Sequence, residues 1–390
     1  NTGIGYKALE ANTTGSDNVA LGTGALTANT TASSNVAVGK DALNDNTTGT
    51  ANVAVGAFAL DAASTSSNNT AVGYAALTAN TTGNQNVAVG NNALDNCTTA
   101  SYVTAVGAYA LDAVTTGSSN TAVGRAALNS ITTNSNCTAV GMNALLNNSA
   151  SECTAVGYTA LGSNTTGTQN TAVGSVALDA NTTGGNNTSI GFSNMGANTD
   201  GSNNVAVGSF CMDIHSGMNY NVAMGHDTAR HITTGSNNVC LGHAAGHSSS
   251  PSGQITTSSN NVVLGNNSIS NLYCADTSIS SSDARDKTDV TDFTHGLSWI
   301  KELRPVTYRW DRRSWYTEDS DTKGTPDGSK KRDRLHIGFL AQEFMEVEKK
   351  HGYASKKDDM LIVNQDEDEA DPSYGIKYER LVPVLVNAIK

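Results

Sequence analysis

The sequence predicts a mainly β chain: a parallel β-solenoid, or β-roll, shaft of 17-residue repeats over residues 1–246, an irregular last repeat and linker over 247–282, and a small α/β domain over 283–390. Three observations predict it. A glycine stands at positions 5, 22, 39, 56, 73, 90, 107, 124, 141, 157, 174, 191, 208, 225, 242 and 265; thirteen of the fifteen gaps are 17 residues, one is 16 and the last is 23. Around each glycine the same small and apolar residues recur. Composition then changes abruptly: residues 1–270 hold only Lys7, Lys40, Arg125 and Arg230 of the 23 Lys and Arg, and the last 120 residues hold the rest.

Each repeat reads like Asn18-Val19-Ala20-Leu21-Gly22, two variable residues, Ala25-Leu26, and a polar stretch such as Asn29-Thr30-Thr31. Val or Thr stands three places before the glycine, and Val, Leu, Ile or Met immediately before it. Side chains alternate along a strand, so these two positions share one face, and the Ala between them implies a close approach on the other. A β-branched strand of about five residues, a glycine corner, a second apolar segment and an Asn-Thr-Thr-Gly turn make one coil. One such coil cannot bury its apolar residues, but sixteen stacked at about 4.8 Å give a rod of roughly 75 Å in which each coil touches its neighbours. Pro251 is the one proline before residue 300, as an unbroken ladder requires. Asn fills the position four before the glycine in 13 of 16 copies, and stacked amides there can hydrogen-bond from rung to rung.

Composition excludes several classes of function. Hydrophobic residues make up 38% and aromatics 5%, too little for several ordinary cores, and the net charge of -12 offers no basic field for nucleic acid. No run approaches the ~18 apolar residues of a membrane span, so membrane insertion is not expected. The six cysteines, at 97, 137, 153, 211, 240 and 274, match neither a metal knuckle nor a disulfide framework, and read as reduced thiols; Cys137 and Cys153 hold the same position in neighbouring copies. Histidines cluster where the repeat decays, at 215, 226, 231, 243 and 247. Imidazoles stacked in this way can hold a metal, but solvated surface is the commoner role, so neither metal nor cofactor is expected.

The repeat resembles the head repeats of trimeric bacterial adhesins of the YadA type, whose Asn-Ser-Val-Ala-Ile-Gly signature parallels Asn-Val-Ala-Val-Gly here. The resemblance implies a left-handed parallel β-roll built from three chains over residues 1 to about 246, while the longer 17-residue period leaves the handedness open.

From Asp283 the composition is that of an ordinary mixed domain. Leu297 to Leu303 reads as a short helix stopped before Pro305, Val306 to Trp310 as a strand, and Asp311 to Arg334 as an exposed loop or arm. His336 to Glu343 runs from strand into helix, and Tyr378 to Lys390 is a closing helix. In order, Ser282-Asp283-Ala284-Arg285-Asp286-Lys287, Leu303-Arg304-Pro305-Val306-Thr307-Tyr308, His336-Ile337-Gly338-Phe339-Leu340-Ala341-Gln342-Glu343 and Tyr378-Glu379-Arg380-Leu381-Val382-Pro383 resemble the intramolecular chaperone domain of phage endosialidases, tail spikes and tail fibres. The same module occurs in membrane-tethered myelin regulatory transcription factors. Asp286 stands where that family usually has Leu.

The resemblance implies a homotrimer whose C-terminal domain drives assembly and then cuts itself off at Ser282–Asp283. Ser282 and Lys287 match a serine-lysine dyad. A serine hydroxyl attacks only when a base takes its proton, and a lysine serves as base only when burial or nearby positive charge lowers its pKa. Arg285 can supply that charge, and His336, Gln342 and Glu343 can orient the site or support an oxyanion. The expected protein is a virion tail fibre, assembled in the host cytoplasm, whose partners are two further copies, other virion tail proteins and a host surface receptor, either a glycan or an outer-surface protein. A bacterial trimeric surface adhesin and a polysaccharide-degrading tail spike are the alternatives. The second needs a carboxylate pair in a groove, whereas the twelve acidic residues of the shaft are scattered singly.

Overall fold

The computed structural model describes residues 1–214, 216–269, 290–313, 316, 324–365 and 372–390. The chain divides into two compact units, Asn1–Ser268 and Ile269–Lys390.

The first unit is a parallel β-solenoid. Sixteen strands, from β1 (Thr2–Ile4) to β16 (Val262–Leu264), form one sheet in strict sequence order. Equivalent residues pair throughout, as Val19 with Val36 and Ala20 with Ala37. Neither irregular gap shifts this register. Between β9 (Thr138–Val140) and β10 (Thr154–Val156) the missing residue comes out of the turn after Asn148, and Thr138 still pairs with Thr154. The longer gap before β16 is taken up near Gly246 and Ile255, which join by a 2.9 Å hydrogen bond, and Val239 still pairs with Val262.

Each strand is three residues long, shorter than the five read from the sequence. The glycine at its end lies at φ near +138°, outside the strand region, and the preceding Asn turns inward to bond sideways. The alternation also has a definite sense. Ala20, Ala37, Ala54 and their equivalents are fully buried, while the Val, Thr and Leu on either side lie on the outer face, half-buried or exposed. The interior is therefore filled by Ala before the glycine and by Ala-Leu after it, with Leu26 to Leu178 stacked in a column at 0% exposure.

Two buried amide columns complete the interior. Where Asn precedes a strand it accepts the backbone N–H of the equivalent residue in the next rung, as Asn35 N–H to Asn18 Oδ1 at 3.0 Å, and donates to a turn carbonyl, as Asn35 Nδ2 to Gly49 O at 2.9 Å. A second column comes from the Asn of the Asn-Thr-Thr turn, which the sequence presents as a polar surface turn. Asn29, Asn46, Asn181 and Asn198 are completely buried and bond rung to rung, as Asn29 Nδ2 to Asn12 Oδ1 at 2.7 Å and Asn181 Nδ2 to Asn164 Oδ1 at 2.7 Å. Nearly every amide has both donor and acceptor satisfied, which is what makes its burial tolerable; the exception in this column is Asn46, whose Oδ1 meets Ala63 in the next rung and has no partner. Where that column changes to Cys97, Val114 and Ile131, the ladder gives way to an apolar plug of three rungs. The five described cysteines all occupy interior columns as free thiols, and burial pushes those of Cys97, Cys153 and Cys240 up to about 11.

The backbone has an unexpected cost. In each coil, residues two and four places after the glycine and five before the next one take left-handed conformations: Asp41, Leu43 and Ala51 at φ 54, 50 and 57°, with Leu26, Leu60 and Leu128 alike. A left-handed non-glycine residue costs roughly 1–2 kcal/mol. Bonds to the next rung, such as Leu26 N–H to Ala42 O at 3.1 Å, and burial of the Leu side chain offset it. Both exist only once the neighbouring coil is in place.

The second unit has helices α1 (Leu297–Glu302), α2 (Ala341–Lys350) and α3 (Leu381–Ile389) and two antiparallel pairs, β17 (Val306–Tyr308) with β18 (His336–Gly338) and β19 (Val363–Gln365) with β20 (Tyr374–Ile376). Trp299, Phe344, Val347, Ile362, Val363, Leu381 and Val384 form its core. The β19–β20 hairpin has no counterpart in the sequence reading. Gly296 explains the seating of α1: a Cβ there would lie 2.5 Å from the backbone of Asn387 in α3. No helix among the described residues is long and apolar enough to cross a membrane.

Candidate functional site

Ser282, Asp283, Arg285 and Lys287, the expected dyad, cut site and supporting cation, lie outside the described residues. The structure bears on the other three motifs.

Those three motifs meet. Arg304, from the Leu-Arg-Pro segment after α1, forms a two-point ion pair with Glu343 in the first turn of α2: Nε donates to Oε2 at 3.2 Å and Nη2 to Oε1. Glu343 also sits where a carboxylate suits the positive end of the helix dipole. The pair is solvent-exposed, so its value is directional more than energetic.

Tyr308 and His336 face each other across β17 and β18, rings nearly parallel at 5.6 Å, with Trp310 closing the edge. Burial raises the pKa of the Tyr308 phenol, with Tyr378 reinforcing it. Tyr378, from the fourth motif, accepts a hydrogen bond from Phe339 N–H at 3.1 Å. Gly338 lets the Tyr378 hydroxyl approach closely: a Cβ there would stand 2.4 Å from it, so any larger residue would displace the Tyr378 ring.

Of the supporting residues named from sequence, Glu343 is thus committed to Arg304, His336 is stacked on Tyr308, and Gln342 is exposed on α2. Glu343 and His336 make their contacts within the second unit. Sequence reasoning missed Glu348, which is completely buried on the inner face of α2 and accepts backbone N–H bonds from Leu361, Ile362 and Val363 at 3.2, 2.7 and 3.3 Å. The available signal was its spacing: Glu348 follows Phe344 and Val347 on the apolar stripe of the helix, where a carboxylate must have partners.

The histidines near the end of the shaft pair across rungs: the rings of His226 and His243 lie 5.7 Å apart and those of His231 and His247 4.9 Å apart. Burial, then the neighbouring His247 and Arg230, lowers the pKa of His231. Among the described residues no group of His, Cys, Asp or Glu is placed to hold a metal ion. His215 lies outside them.

Residues 282–353 match the family model described as the chaperone of endosialidase. The match takes in the Ser-Asp segment, the Leu-Arg-Pro segment and the strand-to-helix segment, and so covers two of the three motifs that meet in the second unit. No curated protein and no solved structure matches the chain. A chaperone-of-endosialidase segment behind a parallel β-solenoid of stacked 17-residue coils fits a tail fibre with a chaperone domain.

Proposed function

We propose that the chain is a virion tail fibre whose shaft reaches a host surface receptor, and whose C-terminal domain directs trimerisation and folding before cutting itself off near Ser282–Asp283. The carrying observation is the family match at 282–353 directly behind a solenoid that is hard to start. With three left-handed non-glycine residues in most coils, the first rung is unfavourable by several kcal/mol until a second covers it. Chains that must nucleate this way expose sheet edges while they wait, and a folded neighbour that gathers three copies and sets their register shortens the wait. Removal of that neighbour afterwards leaves a fibre trapped behind its unfolding barrier.

The outer face of the sheet supports the homotrimer. Val55, Val106, Val123, Val140 and Val156 are each 36–37% exposed, and Ile190 and Met224 continue the line at 40% and 45%. This apolar line recurs along the sheet, and a long contiguous apolar surface is what a further copy would cover. A second copy has the same rung spacing and so matches it rung for rung.

The dyad accounts for single-turnover self-cleavage with no external substrate: Lys287 takes the proton of Ser282, and Arg285 holds the lysine in its neutral form by charge repulsion. Mass spectrometry of the purified native protein tests this. The wild type yields a fragment ending near residue 282, and Ser282→Ala stays whole with unchanged trimer mass. An intact wild-type chain after assembly removes the processing claim, and a monomer in solution removes the fibre.

A further inference from the structure

The shaft carries only nine aromatic residues, and seven of them, Tyr6, Phe58, Tyr74, Tyr109, Tyr158, Phe192 and Phe210, stand one or two places after the repeat glycine. These are the two variable positions of the coil. The fold leaves this corner variable, so its side chains are free to serve a ligand.

On four successive rungs near the shaft's end, rings become contiguous. Phe192 and Phe210 lie 5.4 Å apart, Phe210 and His226 5.9 Å, and His226 and His243 5.7 Å. Phe192 is 50% exposed, and both histidines are exposed as well. Alongside runs a polar rail: the Arg230 guanidinium lies 5.4 Å over the Phe210 ring and is held by Asp227 at 3.1 Å and Asp213 at 3.5 Å.

We infer that this row of rings with its Arg230–Asp213–Asp227 rail is a binding site for a neutral polysaccharide, which deepens the attachment reading above and rests on it. A sugar ring has an apolar C–H face that packs on an aromatic ring and a rim of hydroxyls that exchange hydrogen bonds with guanidinium and carboxylate groups. Four rings on successive rungs present several weak contacts to one linear polymer, which add as linked sites do. Nucleic-acid bases also stack on aromatic rings, but they bring a polyanionic backbone. The shaft sets twelve acidic residues against four basic ones and repels polyanions, acidic glycans included.

The test is affinity electrophoresis of the assembled full chain through native gels containing dextran, mannan, galactan or xylan, with alginate as the polyanion, and light scattering on the same preparation. The expected result is retardation by at least one neutral gel and none by alginate. Phe192→Ala/Phe210→Ala then weakens retention about tenfold or more, by the usual worth of an aromatic contact, while Tyr158→Ala, an exposed ring of the same column outside the row, leaves it unchanged. No retardation in all four neutral gels, retardation by alginate alone, or undiminished retention in the double variant overturns the site. A change of assembled mass in the double variant also overturns it, by making the row a contact between copies. A trimer that binds nothing sinks the site alone, whereas a monomer sinks the fibre reading.

Discussion

The two units of this chain solve the problem of burial in opposite ways. In the shaft, bonds run between equivalent residues of adjacent coils, so a side chain at one rung touches the rungs on either side and nothing farther. In the C-terminal unit, few residues do the work and they come from far apart: Asn387 donates to the carbonyl of Phe293, Lys350 pairs with Glu302, and Glu348 holds the chain at 361–363. The difference teaches where each is vulnerable. Damage to the shaft should stay local, and damage to the other unit should be felt throughout.

The largest expected effect breaks a corner. Gly124 lies at φ +134°, and a Cβ there would meet Gly141 O at 2.5 Å, so Gly124→Ala combines backbone strain with a clash in the next rung. A cost of roughly 3–5 kcal/mol follows. Hydrogen exchange should show loss of protection over the adjoining rungs alone, with the C-terminal unit melting as before. Unfolding that spreads along the whole shaft contradicts the local picture.

Glu348→Gln is expected to be smaller, about 1–3 kcal/mol, because it removes a charged acceptor from three buried N–H groups. Its signature is breadth: the melting temperature of the entire unit should fall in one transition. If exchange rises only at 361–363, the cooperative picture of this unit fails.

The smallest effect sharpens the comparison inside the shaft. Asp61 is pushed up to about 6 by burial, then by Asp45 and Asp41, and its Oδ1 is buried without a partner. A carboxyl whose folded pKa exceeds its unfolded value stabilises most below the unfolded pKa, and loses that contribution as pH rises through about 6. The wild-type shaft should thus melt later at pH 5 than at pH 7. Asp61→Asn should flatten that slope and add up to about 1 kcal/mol at pH 7, discounted for partial exposure. A slope that survives the substitution assigns it to other groups.

Much of this was legible before any coordinates. The glycine comb gave sixteen rungs, and the expected helix, strand and strand-to-helix segments of the C-terminal domain correspond to α1, β17, and β18 with α2. The Asn column was readable as a ladder, though its oxygen turns out to serve the backbone of the next rung. The second amide column, Asn29 and its equivalents, was not readable, because Asn-Thr-Thr is also the composition of an exposed turn. Glu348 hid for a related reason: one acidic residue in a helix is ordinarily solvated.

By itself the sequence determined the period and the pairing register, since periodicity is a property of order along the chain. Only the tertiary structure decided that Ala faces inward and Val outward, that Leu43 and its equivalents take left-handed backbone, and that Arg304 meets Glu343. Each of these depends on contacts between residues 17 or more positions apart, and a conformation that is unfavourable in one coil becomes stable only when the next coil lies against it.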